Sequence, residues 1–538
     1  MSEEQSYVPF SPAESLRGWH VIFDLSGTSY DQWDSLSCLQ AVAGKTSIEH
    51  LMDCVAALSP EGISCIGVDT TRDKGIDGFI QLIKSRGIEY ELDKINENLK
   101  REDDVTSTLL VRGDMPLIEG ETLLKLIGQH RLTNTDMTVL TVRAKGTTGG
   151  LPVSRRNGRI LGISSQLNEV TPRGTEELAV GIYATDTNAM MDALANSTAA
   201  LSSNFTAGMA ALSYQAKDSV VDAFQISEAS EVEPIRDRIS LANVNAKLRN
   251  KIREQHMKNG VTLVDPSTSY IDTNVEIGFG TTIYPNVSIG TGCKIGRNCR
   301  IHSNSQITAT SVGDNVEIIQ SVIDGSEVGD ECHVGPSSHL RPGTFLGHQV
   351  HIGTSVETKS VTIGSRTHVG HFSYLGDATV GSDVNVGAGT IVANYDGTTK
   401  HMSVIGDGAF IGSGTVLVSP VSVGNHAKTA AGAIVINDVG DSTASFQSAT
   451  WGTLVARVGD IIEYNSSTGK WNIAFDASDP DSTQHYVTNL NTGIQYKFNG
   501  TEWVKSYEGV YRQGTWSIVL DGGYQQTEDA DANDATTP

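Results

Sequence analysis

The chain is predicted to consist of an α/β lobe, a parallel β-helix and a small antiparallel β module, and three observations lead there. Isoleucine stands at 271, 277, 283, 289, 295, 301 and 307, seven times in succession at a spacing of six, a period that belongs to neither an α-helix nor an ordinary strand. Upstream, apolar runs such as STLLVRGD and MTVLTVRA alternate with helical patterns, as in a Rossmann-like sheet. Downstream, short alternating runs are separated by turns such as NSSTGK, NLNTG and FNGTEW, the mark of hairpins.

Length and composition agree with several modules. At 538 residues the chain exceeds what one hydrophobic core organises and calls for about three domains. Glycine is abundant at 55 residues while aromatics make up only 6%, which suits turn-rich β architecture. A net charge of −24 argues against nucleic acid as a partner, because a phosphate-tracking surface needs clustered Lys and Arg. The six cysteines (Cys38, Cys54, Cys65, Cys293, Cys299, Cys332) include no CxxC pair and read as buried free thiols in a reducing compartment. No stretch approaches 18 consecutive apolar residues and the N-terminus lacks a leader pattern, so a cytoplasmic, soluble protein without a membrane partner is expected.

The lobe, residues 1–240, is followed by a linking helix over 241–264, with apolar positions Ile239, Leu241, Val244 and Leu248 as its buried stripe. The coil occupies 265–440. A small or β-branched residue stands two places before each isoleucine (Val275, Thr281, Val287, Cys293, Cys299, Ser305), and glycine frequently follows it (Gly278, Gly290, Gly296). Six residues make one flat face and its corner, so three hexapeptides close a triangular coil with the isoleucines stacked inside. The repeat resumes at Val328, Val334, Leu340, Leu346 and Ile352, and again at Ile405, Ile411, Leu417 and Val423. Extra residues between Val386 and Ile405 predict a loop leaving the coil, the usual place for function on a repeat scaffold.

The segment from HLRPGTFLGHQVHIGTSVETKS through VTIGSRTHVGHFSYLGDATV to NVGAGTIVANYDGTTKHMSVIGDGAFIGSGT resembles the acetyltransferase domain of the GlmU family. The resemblance implies a left-handed coil and a homotrimer with sites between neighbouring coils. It also implies transfer of an acetyl group from acetyl-CoA to the amine of glucosamine-1-phosphate or a similar amino-sugar phosphate. Carried over position by position, His371 in VGHFSYLGD is the implied general base and Glu357 in VETK its orienting partner. Imidazole suits the task because its pKa lies near neutrality. Arg341 in LRPG and Lys359 are implied to hold the sugar phosphate, Tyr374, Asn385, Asn394 and Tyr395 to contact the sugar, and Lys400, Ser413 and the backbone near Ala431 to face acetyl-CoA. An isolated histidine on such a coil is ordinarily a surface residue, but a coil needs none of these side chains to fold.

The lobe resembles the uridylyltransferase domain of the same family through VAGKTSIEHLMDCV, TLLVRGDMPLIEGETLLKLI, MTVLTVRAKG, NGRILGI and SEVEPIRDRISLANV. Its chemistry is expected to be lost. Of the family's glycine-rich loop, LAAGKGTRM, only Gly27-Thr28 remains; Ser29 replaces the arginine and Ser37 falls about where a lysine belongs, so a triphosphate meets no cation. Asp114 matches a magnesium ligand, but Arg236 stands where the second ligand is an asparagine, Ala179-Val180-Gly181 replaces NTG, and QLGTGHA has no counterpart before Asp103. Magnesium is therefore expected only if the lobe is active.

After Asp438 the resemblance stops, and the arm that in the family reaches over a neighbour's acetyl-CoA is missing or replaced, which bears on cofactor affinity. Residues 445–525 hold four of the six tryptophans (Trp451, Trp471, Trp503, Trp516) and look like modules at the ends of phage structural proteins; in so small a domain, aromatics more often form core than a binding site. The acidic end, 526–538, is expected to be disordered. A second reading follows: a non-catalytic trimeric part of a phage virion on a captured GlmU-like scaffold, with virion partners.

Overall fold

The computed structural model describes residues 18–25, 37–66, 76–90, 107–133, 135–144, 150–156, 159–163, 176–188 and 220–441, with short stretches at 446–447, 455–456, 461–465, 468, 470–475, 486–488, 495–498 and 503–505. By its contacts the chain separates into two compact units, 1–360 and 361–538.

In the lobe, β1 (Trp19–Asp24) is buried at all six positions, as a strand covered on both faces must be. The sheet continues with β2 (Gly62–Ile66), β3 (Ser107–Arg112), β4 (Met137–Ala144), β5 (Glu176–Asp186) and β6 (Val221–Ile226), in the order β6-β4-β5-β3-β1-β2. β1 runs parallel to β2 and β3, and β6 to β4, while β5 is antiparallel to both its neighbours. Helices α1 (Ser47–Ala56), α2 (Ile76–Ser85) and α3 (Gly120–Thr133) supply Ile48, Leu51, Met52, Val55, Phe79, Ile83, Leu123 and Leu126 to a core shared with Val21, Phe23, Leu109 and Val111. Among the lobe's buried polar groups, His20 bonds Ser64 Oγ through Nε2 at 2.8 Å, and a Cβ on its register partner Gly62 would lie 2.5 Å from Nδ1. Burial drives the His20 pKa down to about 4.

The linking helix, α4 (Arg238–Lys258), begins three residues earlier than expected and ends at 258, because Asp237 and Ser240 form a reciprocal capping box and Gly260 turns the chain at φ +88°. Its buried stripe corrects the sequence reading. Leu241, Val244 and Leu248 pack on Val42, Leu117 and Ile235, whereas Ile239 is 74% exposed, lying two residues and so about 200° from Leu241. α4 also joins lobe to coil: Arg249 pairs with Asp272 at 2.8 Å, and Arg253 donates to Ser269 O at 2.9 Å. The hairpin of Ala41–Val42 and Lys45–Thr46 touches the first coil, with Thr273 N donating to Ala43 O at 2.9 Å.

The coil begins earlier than residue 265, since Thr262–Leu263 already pairs with Thr282–Ile283. Three columns of parallel pairs run through the first unit: Ile271, Ile289, Ile307, Ile323 and Leu340; Ile277, Ile295, Val312, Val328 and Leu346; Ile283, Ile301, Ile318, Val334 and Ile352. The residues two places earlier are buried as well, Thr281, Val287, Cys293, Cys299 and Ser305 completely. Corners are turned by left-handed residues, among them Asn274, Asn286, Asn298 and Asn304 at φ 54–63°, which asparagine tolerates better than most side chains. In the second unit, Val369, Val386 and Ile411 stack, as do Val380, Ile405 and Val423, and Val392, Leu417 and Val435. The expected excursion leaves after Ala393 and returns at Ser403.

Beyond 441 the described residues form short antiparallel pairs: Ile461–Asn465 with Lys470–Phe475, and Gln495–Phe498 with both Tyr486–Thr488 and Trp503–Lys505. Trp451, Trp516 and 526–538 lie outside the described residues. All six cysteines are free thiols. Burial raises the pKa of each one for which a shift is resolved, to about 11 at Cys54 and Cys332.

Candidate functional site

The period of two in an extended chain decides what the coil can offer. At the end of the first unit, the opening residues of strand Glu357–Ile363 alternate, Glu357 out, Thr358 fully buried, Lys359 out. Thr358 is held by Thr344 Oγ1 at 3.0 Å and accepts the Arg341 main-chain N–H at 2.9 Å. That bond brings Arg341, Glu357 and Lys359 onto one outward patch. Arg341 Nη1 lies 2.8 Å from Glu357 Oε1, both side chains partly exposed. The sequence reading gives Glu357 to His371; the partner found within this unit is Arg341.

The second unit carries the rest. His371 ends strand His368–His371 with its side chain exposed, its carbonyl accepting from Ser373 Oγ at 2.9 Å and Gly389 N at 3.0 Å. The turn beyond it is made by Phe372, at φ +48° and 68% exposed. Tyr374 opens the next strand and pairs in register with Ile391. Asn394, only 7% exposed, donates its side-chain amide to Asp377 Oδ2 at 2.5 Å, and Lys400 Nζ lies 3.7 Å from the same oxygen. A Cβ at Gly376 would fall 2.4 Å from Tyr374 Oη and 2.9 Å from Asn394 Nδ2, so only glycine lets these two side chains lie together. Tyr395 and Lys400 face each other across an antiparallel bridge. Asp396 shapes that tip by accepting from Thr398 N and Thr399 N at 2.7 Å each and pairing with His401 Nε2 at 2.7 Å. These bonds, His401 foremost, hold its carboxyl well below the usual range.

Asn385 is exposed beside its register partner Phe410. Ser413 and Ala431 are exposed on successive turns, Gly432 N donating to Ser413 O at 2.7 Å. Sequence reasoning missed Gly376 and Asp377, although both stand in the quoted motif GHFSYLGD.

In the lobe, the ligand crevice of such a sheet lies at the carboxyl ends of the strands where the order reverses, here between β1 and β3. Asp24 and Arg112 close those strands as register partners. Arg112 Nε and Nη2 reach Asp114 Oδ1 and Oδ2 at 3.0 and 2.6 Å, with Arg112 3% exposed and Asp114 fully buried. Ile235 N donates to Asp114 O at 2.9 Å, so the segment bearing Arg236 does reach Asp114. A magnesium ion does not fit this arrangement. The guanidinium cannot be deprotonated, and a dication about 4 Å from it would be repelled by on the order of 8 kcal/mol at an effective dielectric of 20. Among the described residues no group of three or more His, Cys, Asp or Glu could hold a metal. Ser37 is buried, while Gly27, Thr28 and Ser29 lie outside the described residues, as does the stretch before Asp103.

A Rossmann-like lobe joined by a capped helix to a hexapeptide-repeat β-helix with a polar outward site defines a two-domain, hexapeptide-repeat protein. A family model for the GMPPB C-terminal domain matches residues 266–356. The chain is 36% identical over 414 residues to the bifunctional protein GlmU of Shouchella clausii (strain KSM-K16), covering 74% of this chain and 90% of that one. Similar matches are the GlmU of Streptococcus equi subsp. zooepidemicus, 35% identical over 76% of this chain and 90% of that one, and of Lactococcus lactis subsp. lactis, 36% identical over 75% and 89%. The chain belongs to the GlmU family. No helix among the described residues is long and apolar enough to cross a membrane.

Proposed function

We propose that the coil is an acetyl-CoA-dependent N-acetyltransferase for glucosamine-1-phosphate or a similar amino-sugar phosphate, working as a cytoplasmic homotrimer, and that the α/β lobe no longer transfers a uridylyl group. One observation supports the reading: apart from Asn394, which is buried against Asp377, the family's polar set stands on outward positions, while the coil's packing draws on the inward ones between them, Thr358, Leu375 and Val386. In this reaction a C–N bond forms between the sugar amine and the acetyl carbonyl carbon, the thioester C–S bond breaks, and His371 takes the proton that the amine gives up. Glu357 orients the imidazole. Arg341 and Lys359 hold the phosphate dianion, which Arg can grip with two hydrogen bonds. Tyr374, Asn385, Asn394 and Tyr395 position the sugar; Lys400, Ser413 and the main chain at Ala431 face acetyl-CoA.

Purified protein should release free CoA from acetyl-CoA only when the amino-sugar phosphate is present. His371→Ala should lower turnover by roughly 10²–10⁴, the loss expected for a general base, and Arg341→Ala should mainly raise the acceptor KM. If wild type and His371→Ala are equally silent across several amino-sugar phosphates, the catalytic reading falls.

A further inference from the structure

We infer that Arg112 is a built-in cation standing where a nucleotidyltransferase lobe would need a divalent metal, so that the crevice between β1 and β3 excludes metal ions by holding its own positive charge. The inference rests on, and deepens, the reading that the lobe has lost nucleotidyl transfer.

Three features make this more than a chance pairing. Arg112 and Asp114 are two residues apart at the end of one strand, and their contact is two-pronged and shut away from water. The planar guanidinium matches both carboxylate oxygens at once, the contact a metal would otherwise make. Second, the arginine stem has a place built for it. Gly181 sits at φ +85°, and a Cβ there would lie 2.4 Å from Arg112 Cδ and 3.0 Å from Cγ, so any other residue at 181 would displace the stem. Third, a second buried carboxylate stands on the neighbouring strand. Asp24, 2% exposed, ends the neighbouring strand opposite Arg112. The buried hydroxyl of Tyr183 is influenced by both: its pKa is pushed up to about 12 by burial first, with Asp24 raising it and Arg112 lowering it. Without Arg112, Asp114 would lose the cation it pairs with while buried near a second buried carboxylate, a strongly unfavourable state. The same two carboxylates would then be ready to accept an added cation.

The test is a Mn²⁺ titration of the full-length, chelator-stripped protein, reading free Mn²⁺ by electron paramagnetic resonance. Wild type and Asp114→Asn should give the same curve. Arg112→Met, which keeps the stem and removes the charge, should gain a site binding at least tenfold more tightly than anything in wild type, and Arg112→Met/Asp114→Asn should lose it. Arg112→Gln, which keeps a hydrogen bond to Asp114, serves if the methionine variant does not fold. Two results would overturn the inference: a wild-type Mn²⁺ site that Asp114→Asn removes, or a folded Arg112 variant with no gained site. Uridylyl transfer by wild type without an Asp114-dependent Mn²⁺ site would sink the reading of the lobe and leave the inference standing. A wild-type site without transfer would do the reverse.

Discussion

Asp377 is the node of the second unit's polar patch, and Asp377→Asn probes it with little change of shape. Asparagine accepts the φ of +47° found at this position about as readily as aspartate does, so the backbone should keep its course and the melting temperature should hold. What changes is the bond from Asn394. A hydrogen bond to a charged acceptor contributes about 1.5–3 kcal/mol and a neutral one about 1. The 2.5 Å contact should therefore weaken by about 0.5–2 kcal/mol, roughly 2–30-fold. The Lys400 contact is longer, at 3.7 Å, and exposed, and pairs of that kind contribute at most about 1 kcal/mol. Because Asn394 is proposed to hold the sugar, steady-state kinetics should show the acceptor KM rising by that factor. The KM for acetyl-CoA should move by about fivefold or less, and kcat should change little. An unchanged acceptor KM in a protein with unchanged melting would refute the argument that Asp377 sets the position of Asn394.

Two further outcomes are expected. His20 is neutral and buried with a pKa of about 4, against 6.5 unfolded, so the unfolded state takes up the proton first as pH falls: its contribution is complete above 6.5, declines through the interval and levels off below 4. About 2 kcal/mol should be gone at pH 5, and His20→Gln should flatten the pH dependence of urea unfolding by that amount; identical slopes in parent and variant would rule the role out. The chain should behave in light scattering as a particle of three times 57.4 kDa, since a shared site requires neighbours, and a mass near 57.4 kDa would contradict the trimer.

The coil was legible because its rule is local and repeated. An isoleucine every six residues has one interior solution, and the register pairs Ile271 with Ile289 and Ile283 with Ile301 as that solution demands. The lobe's sheet could be read as a type, but the antiparallel β5 between β4 and β3 could not, since apolar runs look alike in either direction. Ile239 was misassigned because an apolar residue one turn into a helix reads as core until the direction of the stripe is known, and Leu241, Val244 and Leu248 fix it elsewhere. At the site, outward residues could be named one by one, yet the bond between Asp377 and Asn394 spans 17 positions and includes a corner, so no short-range pattern announces it. The pairing of Arg112 with Asp114 was not within reach of strand periodicity: the strand ends at Arg112, and it is the turn after it that swings Asp114 back onto the guanidinium. The resemblance drew attention to the aspartate and away from its neighbour.

The hairpin tip at Ala43 and Gly44 gives the lobe a role that does not depend on nucleotides. A stack of coils has two ends, and an end left bare offers unpaired main-chain groups to the next molecule, a template for filament growth. Here one corner of the first end is covered: the tip binds Thr273 through its main chain, and a Cβ at Gly44 would collide with Thr291 and Asp272 at 2.3 and 2.7 Å, so nothing bulkier could close as tightly. A coil released from its lobe would lose this cover. The contact ties the lobe's hairpin to the coil's first corner independently of any nucleotide chemistry.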